Sequence, residues 1–379
     1  MEFGSAQNFL EGKAILVMGA TVLSKDLFRV LRGMWGADFV SFISEKVLAV
    51  GGDVSVENLG VKDTKLREKL LEETDIIINS AATTKFYERL DVAMGINTMG
   101  ALNVLNFAKN CSKLQMLLHV STAYVCAMGE QILMNMKGDI PLIIARPTVI
   151  LSTYSELFPG WIEGVRTLDL FVVMYGKGKL TRSIGRRSTI IDAIPADMVI
   201  NSMIVALEAC SKSSSKTLIY HIGSSLRNPF RISDLEDLAH QYFTKHPLTD
   251  MYGKPVAVPK KITWMSSVSS FDRYINIRYM LALKGLNVMN KMCCYSHEAF
   301  HNESKQKVKK MMGIMRLYKP YVLFDGIFDD KNAENLRMTK MKGKDDDDVG
   351  RFNFDPTTID WTPYMLNTHI PGLVKYGVK

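Results

Sequence analysis

Six short apolar runs alternate with helix-forming stretches along the first 225 residues, and this alternation restricts the fold more than any single motif does. The runs are AILVM (14–18), KVLAV (46–50), DIIIN (75–79), MLLHV (116–120), PLIIA (141–145) and LIYHI (218–222). They are rich in Leu and β-branched residues and show little polar alternation, as strands buried on both faces do. Between them lie helical segments such as KLREKLLEE (65–73) and GALNVLNFAKNCS (100–112). Strand–helix alternation of this kind predicts an α/β fold with a doubly wound parallel sheet.

From about residue 226 the pattern changes. RISDLEDLAHQYF (231–243) reads as a helix with Ser233 as its N-cap, and ESKQKVKKMMGIMRLY (303–318) reads as a basic, Met-rich amphipathic helix. KGKDDDDVG (342–350) lacks the alternating ligands, glycine and final glutamate of a calcium loop and reads as a solvated linker. The C-terminal third is therefore expected to be a second, mainly helical unit.

With 379 residues, two domains are expected at roughly 150 residues each. The 47 basic and 39 acidic residues give a formal charge of +8, which favours anionic partners without choosing among them. The five cysteines, two of them adjacent, suggest no disulfide framework. With no signal-peptide pattern, a reducing intracellular compartment is expected. The best apolar run, PLIIARPTVIL (141–151), falls short of the ~20 residues that span a bilayer and is broken by Arg146. Any membrane contact should be peripheral.

The candidate chemistry sits at strand ends. After the first strand, MGATVLSKD places Gly19, Ala20 and Thr21 where backbone amides at a helix start could bind a pyrophosphate. Val22 and Leu23 stand where a second glycine would help, and an ordinary turn accounts for the stretch equally well. Asp53 in GGDV could accept a hydrogen bond from an adenine, or be a plain turn aspartate. NSAATT (79–84) offers small residues beside a ribose, and Asn97 could hold a water or a backbone group nearby. Each is ordinary alone; their order along a parallel sheet carries the reading.

Two other groups carry less. Cys293 and Cys294 with His297 and His301 suggest zinc, but adjacent cysteines cannot easily supply two tetrahedral ligands, so no metal is expected. YGKGKLTRSIGRRS (175–188) could meet a polyphosphate through Lys177, Lys179, Arg182, Arg186 and Arg187, or simply be a solvated loop. Without stacking aromatics or a recognised module it does not indicate nucleic acid.

The stretches VGGDVSVENLG, DIIINSAATTKFYERLDVAMGINTMGALNVLNFAKNC, LLHVSTAYV, RPTVILST, FPGWIEGVRTLD, YGKGKL, IPADMV, YHIGSS, YVLFDGIFDD, FDPTTIDW and NTHIPGL occur in this order. Together they resemble the plant fatty acyl-CoA reductases, the male-sterility branch of the extended short-chain dehydrogenase/reductases. The resemblance covers most of the chain. It implies a Rossmann-like reductase domain over 1–225, a connecting region over 226–285 and a helical C-terminal domain over 286–379. The implied reaction is NADPH-dependent reduction of a long-chain acyl-CoA to a primary alcohol through an aldehyde. The implied place is cytoplasmic, or peripheral at the endoplasmic reticulum. The implied cofactor contacts are Gly19, Ala20, Thr21, Asp53, Val54, Ala81, Ala82, Thr83, Asn97, Pro147 and Thr148, with Thr122 and neighbouring Ser121 as catalytic hydroxyls.

Two departures from the family are expected to matter. MGATVLSKD joins almost directly to DLFRVLRGMWG, which matches a later family helix, so the second strand and its 2′-phosphate partner are missing. Arg29 or Arg32 would have to substitute, and nothing in the sequence indicates that either does. In HVSTAYVCAMGE (119–130), Cys126 joins straight to Ala127, where the family has a long segment carrying Tyr-x-x-x-Lys. The only such spacing in this chain, Tyr175–Lys179, contains two glycines and is rejected as a replacement. Tyr124 has no lysine four residues on and is rejected too. The expectations are therefore an impaired reductase with an incomplete sheet, an inactive acyl- or partner-binding relative, or a truncated product.

Overall fold

The computed structural model describes residues 6–19, 26–85, 88–124, 128–212, 217–292, 298–324, 326–341 and 352–378. Its centre is a five-stranded parallel sheet built from β1 (Ile15–Met18), β2 (Ile76–Asn79), β3 (Met116–Val120), β4 (Leu142–Pro147) and β9 (Thr217–Ile222), in that spatial order. The register runs Ile77↔Leu117↔Leu142↔Thr217, so apolar positions stack across the strands. Six shorter strands lie outside it in two-stranded pairs: β5 (Val149–Leu151) with β8 (Ala193–Pro195), β6 (Arg182–Ile184) with β11 (Thr263–Met265), and β7 (Ile190–Ile191) with β10 (Phe230–Arg231).

Side chains alternate between the two faces of the sheet, and helices cover both. On one face Ile77, Leu117, Leu142 and Ile144 pack against Ala101, Val104 and Leu105 of the helix Gly100–Asn110 and Leu133 of the helix Met128–Met136. On the other, Ile76, Leu118 and Ile143 pack against Val199, Met203 and Leu207 of the helix Ala196–Ser211. The last segment enters this second cluster, with Tyr364, Met365, Ile370 and Leu373 all buried in it.

One expected strand is absent. KVLAV (46–50) begins with Lys46, the last residue of the helix Asp26–Lys46, and residues 47–50 belong to no strand; Leu48 is 69% exposed. The reason is topological. Among the described residues the sheet grows from β1 in one direction only, so β1 is an edge of it, with Ile15 and Val17 at 37% and 45% exposure. A strand on that side needs a neighbour to bond to, and an isolated extended segment is not stable in water. The helix Asp26–Lys46 does not lie on the sheet either: Leu31 and Phe39 pack with Phe158, Trp161 and Tyr376 instead.

The helix at 231–243 is present as Ile232–Lys245, capped by Arg231 rather than Ser233: Arg231 N donates to Asp234 Oδ2 across 2.9 Å, and Ser233 sits inside the helix. The basic helix spans Glu298–Val322, and its Val308 and Met312 pack against Ile184, Phe271 and Ile275. The run 342–350 lies outside the described residues.

Candidate active site at the carboxyl ends of the strands

β1 ends at Met18, and Gly19 turns with φ +83. A Cβ there would stand 2.8 Å from the Ala81 backbone, so only glycine lets the two strand ends approach. Ala20 and Thr21 lie outside the described residues. Asn79, buried at the end of β2, ties its neighbours together. Its Nδ2 meets His119 Nδ1 at 3.1 Å, and its Oδ1 accepts from Ala81 N at 3.2 Å. Asn97 grips Thr83 from the other side: Thr83 N donates to Asn97 Oδ1 at 2.8 Å and Asn97 Nδ2 donates to Thr83 O at 3.1 Å. Ala81 to Thr83, with Ala82 exposed between them, is thereby held at both ends.

Asp53 spends its carboxylate locally. Oδ1 accepts from Ser55 Oγ at 2.7 Å and Ser55 N at 2.9 Å, and the Ser55 hydroxyl, then its amide, hold the carboxyl below its usual range. Val54 is clamped by Asn103 Nδ2 on its carbonyl at 2.9 Å and lies against Gly100. The turn is rigid and exposed, as a wall for an adenine needs to be.

At the tip of β3, Ser121 N donates to Ala145 O at 2.7 Å and Ala123 N to Pro147 O at 3.0 Å, so both predicted hydroxyls hang from a fixed backbone. Ser121 Oγ is buried without a hydrogen-bond partner among the described residues. Thr122 Oγ1 accepts from Tyr124 N at 3.3 Å. Thr148 is buried, and its N and Oγ1 donate to Ile222 O at 3.0 and 3.4 Å.

Tyr124 turns away from this group. Its hydroxyl donates to Asp192 O at 3.3 Å, and its ring lies among Tyr321, Phe324 and Phe328 with centroids 5.6, 6.4 and 5.1 Å away. Burial, then the nearby Asp192 and Tyr321 charges, push its phenol far up. Tyr175 is also unsuited: it is fully buried, bonded to His240 Nδ1 at 3.2 Å, and burial pushes it up to about 12. Residues 125–127, where the two halves of HVSTAYVCAMGE meet, lie outside the described residues. Beyond them Glu130 is buried with Arg146 Nε 3.1 Å from each carboxylate oxygen, and Arg146 NH1 lies 3.3 Å from His221 Nε2. Gly129 abuts Asn97 O, where a Cβ would stand at 2.6 Å.

Arg187 of the basic stretch pairs with Glu236 and Asp237, and Arg182 lies over the Tyr274 ring at 4.5 Å; Lys177 and Lys179 are exposed. Cys293, Cys294 and His297 lie outside the described residues, as does the side chain of His301. Among the described residues no group of three His, Cys, Asp or Glu could hold a metal.

Sequence reasoning missed two buried polar groups. One is the Asn79–His119 and Glu130–Arg146–His221 set beneath the site. The other joins Ser152 Oγ to His369 Nδ1 at 3.1 Å, with Tyr364 donating to Ser152 O at 2.7 Å; His369 Nε2 lies 3.2 Å from Asp169 Oδ1 without hydrogen-bond geometry. Ser152, His369 and Asp169 are all buried, so this set anchors the C-terminal segment and offers no open nucleophile.

Two family models described as male sterility protein match the chain: a NAD-binding one over residues 18–127 and 127–203, and a second over residues 278–379. The first match is split at residue 127, the junction noted above. Fatty acyl-CoA reductase 1 of Arabidopsis thaliana is 39% identical over 443 aligned positions, covering 97% of this chain and 90% of the relative. The alcohol-forming fatty acyl-CoA reductase of Simmondsia chinensis is 36% identical over 491 positions, covering 99% of both. Both alignments are longer than the 379-residue chain, so the relatives carry segments that this chain lacks. Among solved structures, the terminal reductase domain of the myxalamid pathway matches with a TM-score of 0.56 at 14% identity, covering 96% of this chain and 84% of that one. A nonribosomal peptide synthetase reductase domain from Mycobacterium tuberculosis gives 0.53 at 16% identity, with coverage of 97% and 86%. These two likenesses establish the fold.

Proposed function

The chain belongs to the fatty acyl-CoA reductase (male sterility) family, and we propose that it serves the family reaction, NADPH-dependent reduction of a long-chain acyl-CoA to a primary alcohol, at a strongly impaired rate. The relative from Simmondsia chinensis is named alcohol-forming, which supplies the product class. The observation that carries the impairment is the state of Tyr124. The one tyrosine beside Thr122 spends its hydroxyl hydrogen bond on Asp192 O inside an aromatic cluster and has no lysine four residues on, so it does not reproduce the family's Tyr-x-x-x-Lys pair.

The residues fit a dinucleotide at one end only. The Gly19–Ala81 approach, the clamped Thr83 and the rigid Asp53–Val54 turn suit the ribose and adenine. The pyrophosphate end would fall at residues 20–25, outside the described residues; the helix that follows packs Leu31 and Phe39 with Phe158 and Tyr376 rather than on the sheet, which counts against its serving that end. A bound nicotinamide supplies hydride, and the oxygen that gains negative charge then needs stabilisation and a proton. This chain offers it Thr122 and the Ser121 hydroxyl, which has no hydrogen-bond partner among the described residues. An alcohol without a neighbouring base or cation is a poor proton donor, and loss of general acid catalysis costs about 10²–10⁴ in rate.

A second reading, a non-catalytic acyl-binding relative, is favoured by apolar surface beside Tyr124: Phe324 and Ile327 are 40% and 49% exposed. Acyl-CoA-dependent oxidation of NADPH separates the two. Slow but measurable turnover, lost in Thr122→Ala, supports the impaired reductase. Acyl-CoA binding with no oxidation of NADPH supports the binding relative.

A further inference from the structure

A rigid hairpin at 248–256 carries two large side chains that bury almost nothing. Met251 is 88% exposed and Tyr252 is 78% exposed. The turn is built to hold them there. Asp250 Oδ1 accepts from Tyr252 N at 2.8 Å and Lys254 N at 2.9 Å, Asp250 N donates to Lys254 O at 2.9 Å, and Gly253 closes the turn at φ +75. Thr249 bridges Pro255, and Val256 N donates to Leu248 O at 2.8 Å.

The base of this hairpin rests on a second loop. A Cβ on Gly178 would meet Val256 at 2.9 Å and the Ala257 carbonyl at 3.3 Å, and β6 pairs with β11 just beyond. The contact brings Lys177, Lys179 and Arg182 beside Lys254, Lys260 and Lys261, all exposed. Among the described residues the five lysines make no ion pair, and Asp250, the sole acidic residue in 175–187 and 246–262, is consumed by its own turn.

We infer that this hairpin and the adjoining 177–182 loop form a docking surface for an anionic lipid bilayer, with Met251 and Tyr252 entering the interface and the lysines at the headgroups. Tyrosine is enriched at the boundary between headgroups and acyl chains, where its apolar ring and polar tip both find partners. Exposed cations without acidic partners are attracted by the surface potential of anionic lipids within a Debye length of ~8 Å. A pre-formed turn has little conformational entropy left to lose on docking. A single-stranded nucleic acid is disfavoured, because Tyr252 is the one exposed aromatic on the hairpin and a strand-binding groove stacks successive bases. No helix among the described residues is long and apolar enough to cross a membrane, so attachment of this kind is peripheral.

The test is flotation of the full chain with phosphatidylcholine vesicles, with and without phosphatidylserine. Binding should require phosphatidylserine and weaken with salt. Replacing Lys254, Lys260 and Lys261 by glutamine should lower affinity about 100-fold, at about fivefold per lysine. Replacing Met251 and Tyr252 by serine should lower it at least tenfold while leaving the salt dependence unchanged. Both variants alter exposed side chains, so circular dichroism and urea midpoints should match the parent. The inference is overturned by an absence of vesicle binding, or by undiminished binding of the lysine variant. It is equally overturned if binding is lost only on neutralising Lys305, Lys309 and Lys319, or if a short RNA binds more tightly and displaces the vesicles.

Discussion

The hydroxyl of Tyr124 donates to the backbone oxygen of Asp192 across 3.3 Å, and Asp192 is itself buried with its carboxylate on Ser224 N at 2.8 Å and on Ser225. The tyrosine next to the retained Thr122 is therefore fixed to the wall that leads from β7 to β8. Replacing it should disturb packing more than chemistry. Tyr124→Phe keeps the ring among Tyr321, Phe324 and Phe328 and removes one hydrogen bond, so it should cost about 1 kcal/mol in urea denaturation. Any acyl-CoA-dependent NADPH oxidation should persist in this variant. Complete loss of a measurable rate would make Tyr124 the proton donor after all.

The buried pair Glu130–Arg146 makes a larger contribution, because Glu130 is fully buried and Arg146 also reaches His221. Glu130→Gln removes the buried carboxylate that Arg146 pairs with and should destabilise by about 3–5 kcal/mol. The double replacement Glu130→Gln with Arg146→Met should cost less than Glu130→Gln alone. Additive losses in chemical denaturation would mean that the two side chains do not act as a pair.

His119 gives the fold a pH dependence with a defined sign. Burial, partly opposed by Glu130, pushes its pKa down to about 4 from the ordinary 6.5. The unfolded chain thus takes up a proton at a pH where the folded chain does not. The stability tied to neutral His119 is full above pH 6.5 and is lost as pH falls from 6.5 towards 4, by about 3 kcal/mol in all. His119→Gln, which keeps a polar partner for Asn79, should flatten the urea midpoint over that window. An unchanged slope would place the titration elsewhere.

Cofactor binding should be weak and poorly selective. Gly19 still permits the close approach to Ala81, but among the described residues no strand pairs with the outer side of β1 to carry a 2′-phosphate partner. Calorimetric titration should give NADPH and NADH affinities within about threefold of each other, an expectation that follows from losing a charge-assisted contact. Tight binding selective for NADPH would show that Arg29, Arg32 or another cation has taken over.

The strands at 75–79, 116–120, 141–145 and 218–222 were legible because parallel strands buried on both faces read as unbroken apolar runs. KVLAV (46–50) reads the same way and is not a strand, because what it lacks is a neighbour, and a missing neighbour leaves no mark in the local sequence. Asn97 was read as holding either a water or a backbone group, and it bonds the Thr83 backbone. The Ser152–His369–Asp169 set was not legible, since Ser152 and His369 lie 217 residues apart and meet only through the packing of the last segment on the sheet. Long-range polar partners carry no periodicity for a sequence pattern to reveal.

The decisive prediction concerns repair of catalysis. The stub on which a catalytic helix would end is already in place: Gly129 lies against Asn97 O and Glu130 is bound to Arg146, so the start of Met128–Met136 is fixed on the sheet. Inserting the family segment between Cys126 and Ala127, tyrosine and lysine included, should therefore supply a proton donor near Thr122. Alone it should raise the rate little, because the helix after β1 packs on Phe158 and Tyr376 rather than on the sheet and the family's second strand is still missing from the sequence. Restoring the second strand and its helix alone should improve NADPH binding while leaving the slow turnover rate little changed. Both grafts together should raise NADPH consumption with a long-chain acyl-CoA by about 10²–10⁴ over the unmodified chain, the usual worth of general acid catalysis. The comparison needs four proteins: the unmodified chain, each single graft and the double graft. Robust turnover by the unmodified chain, abolished by Thr122→Ala, would contradict the whole scheme and locate another proton donor beside Thr122.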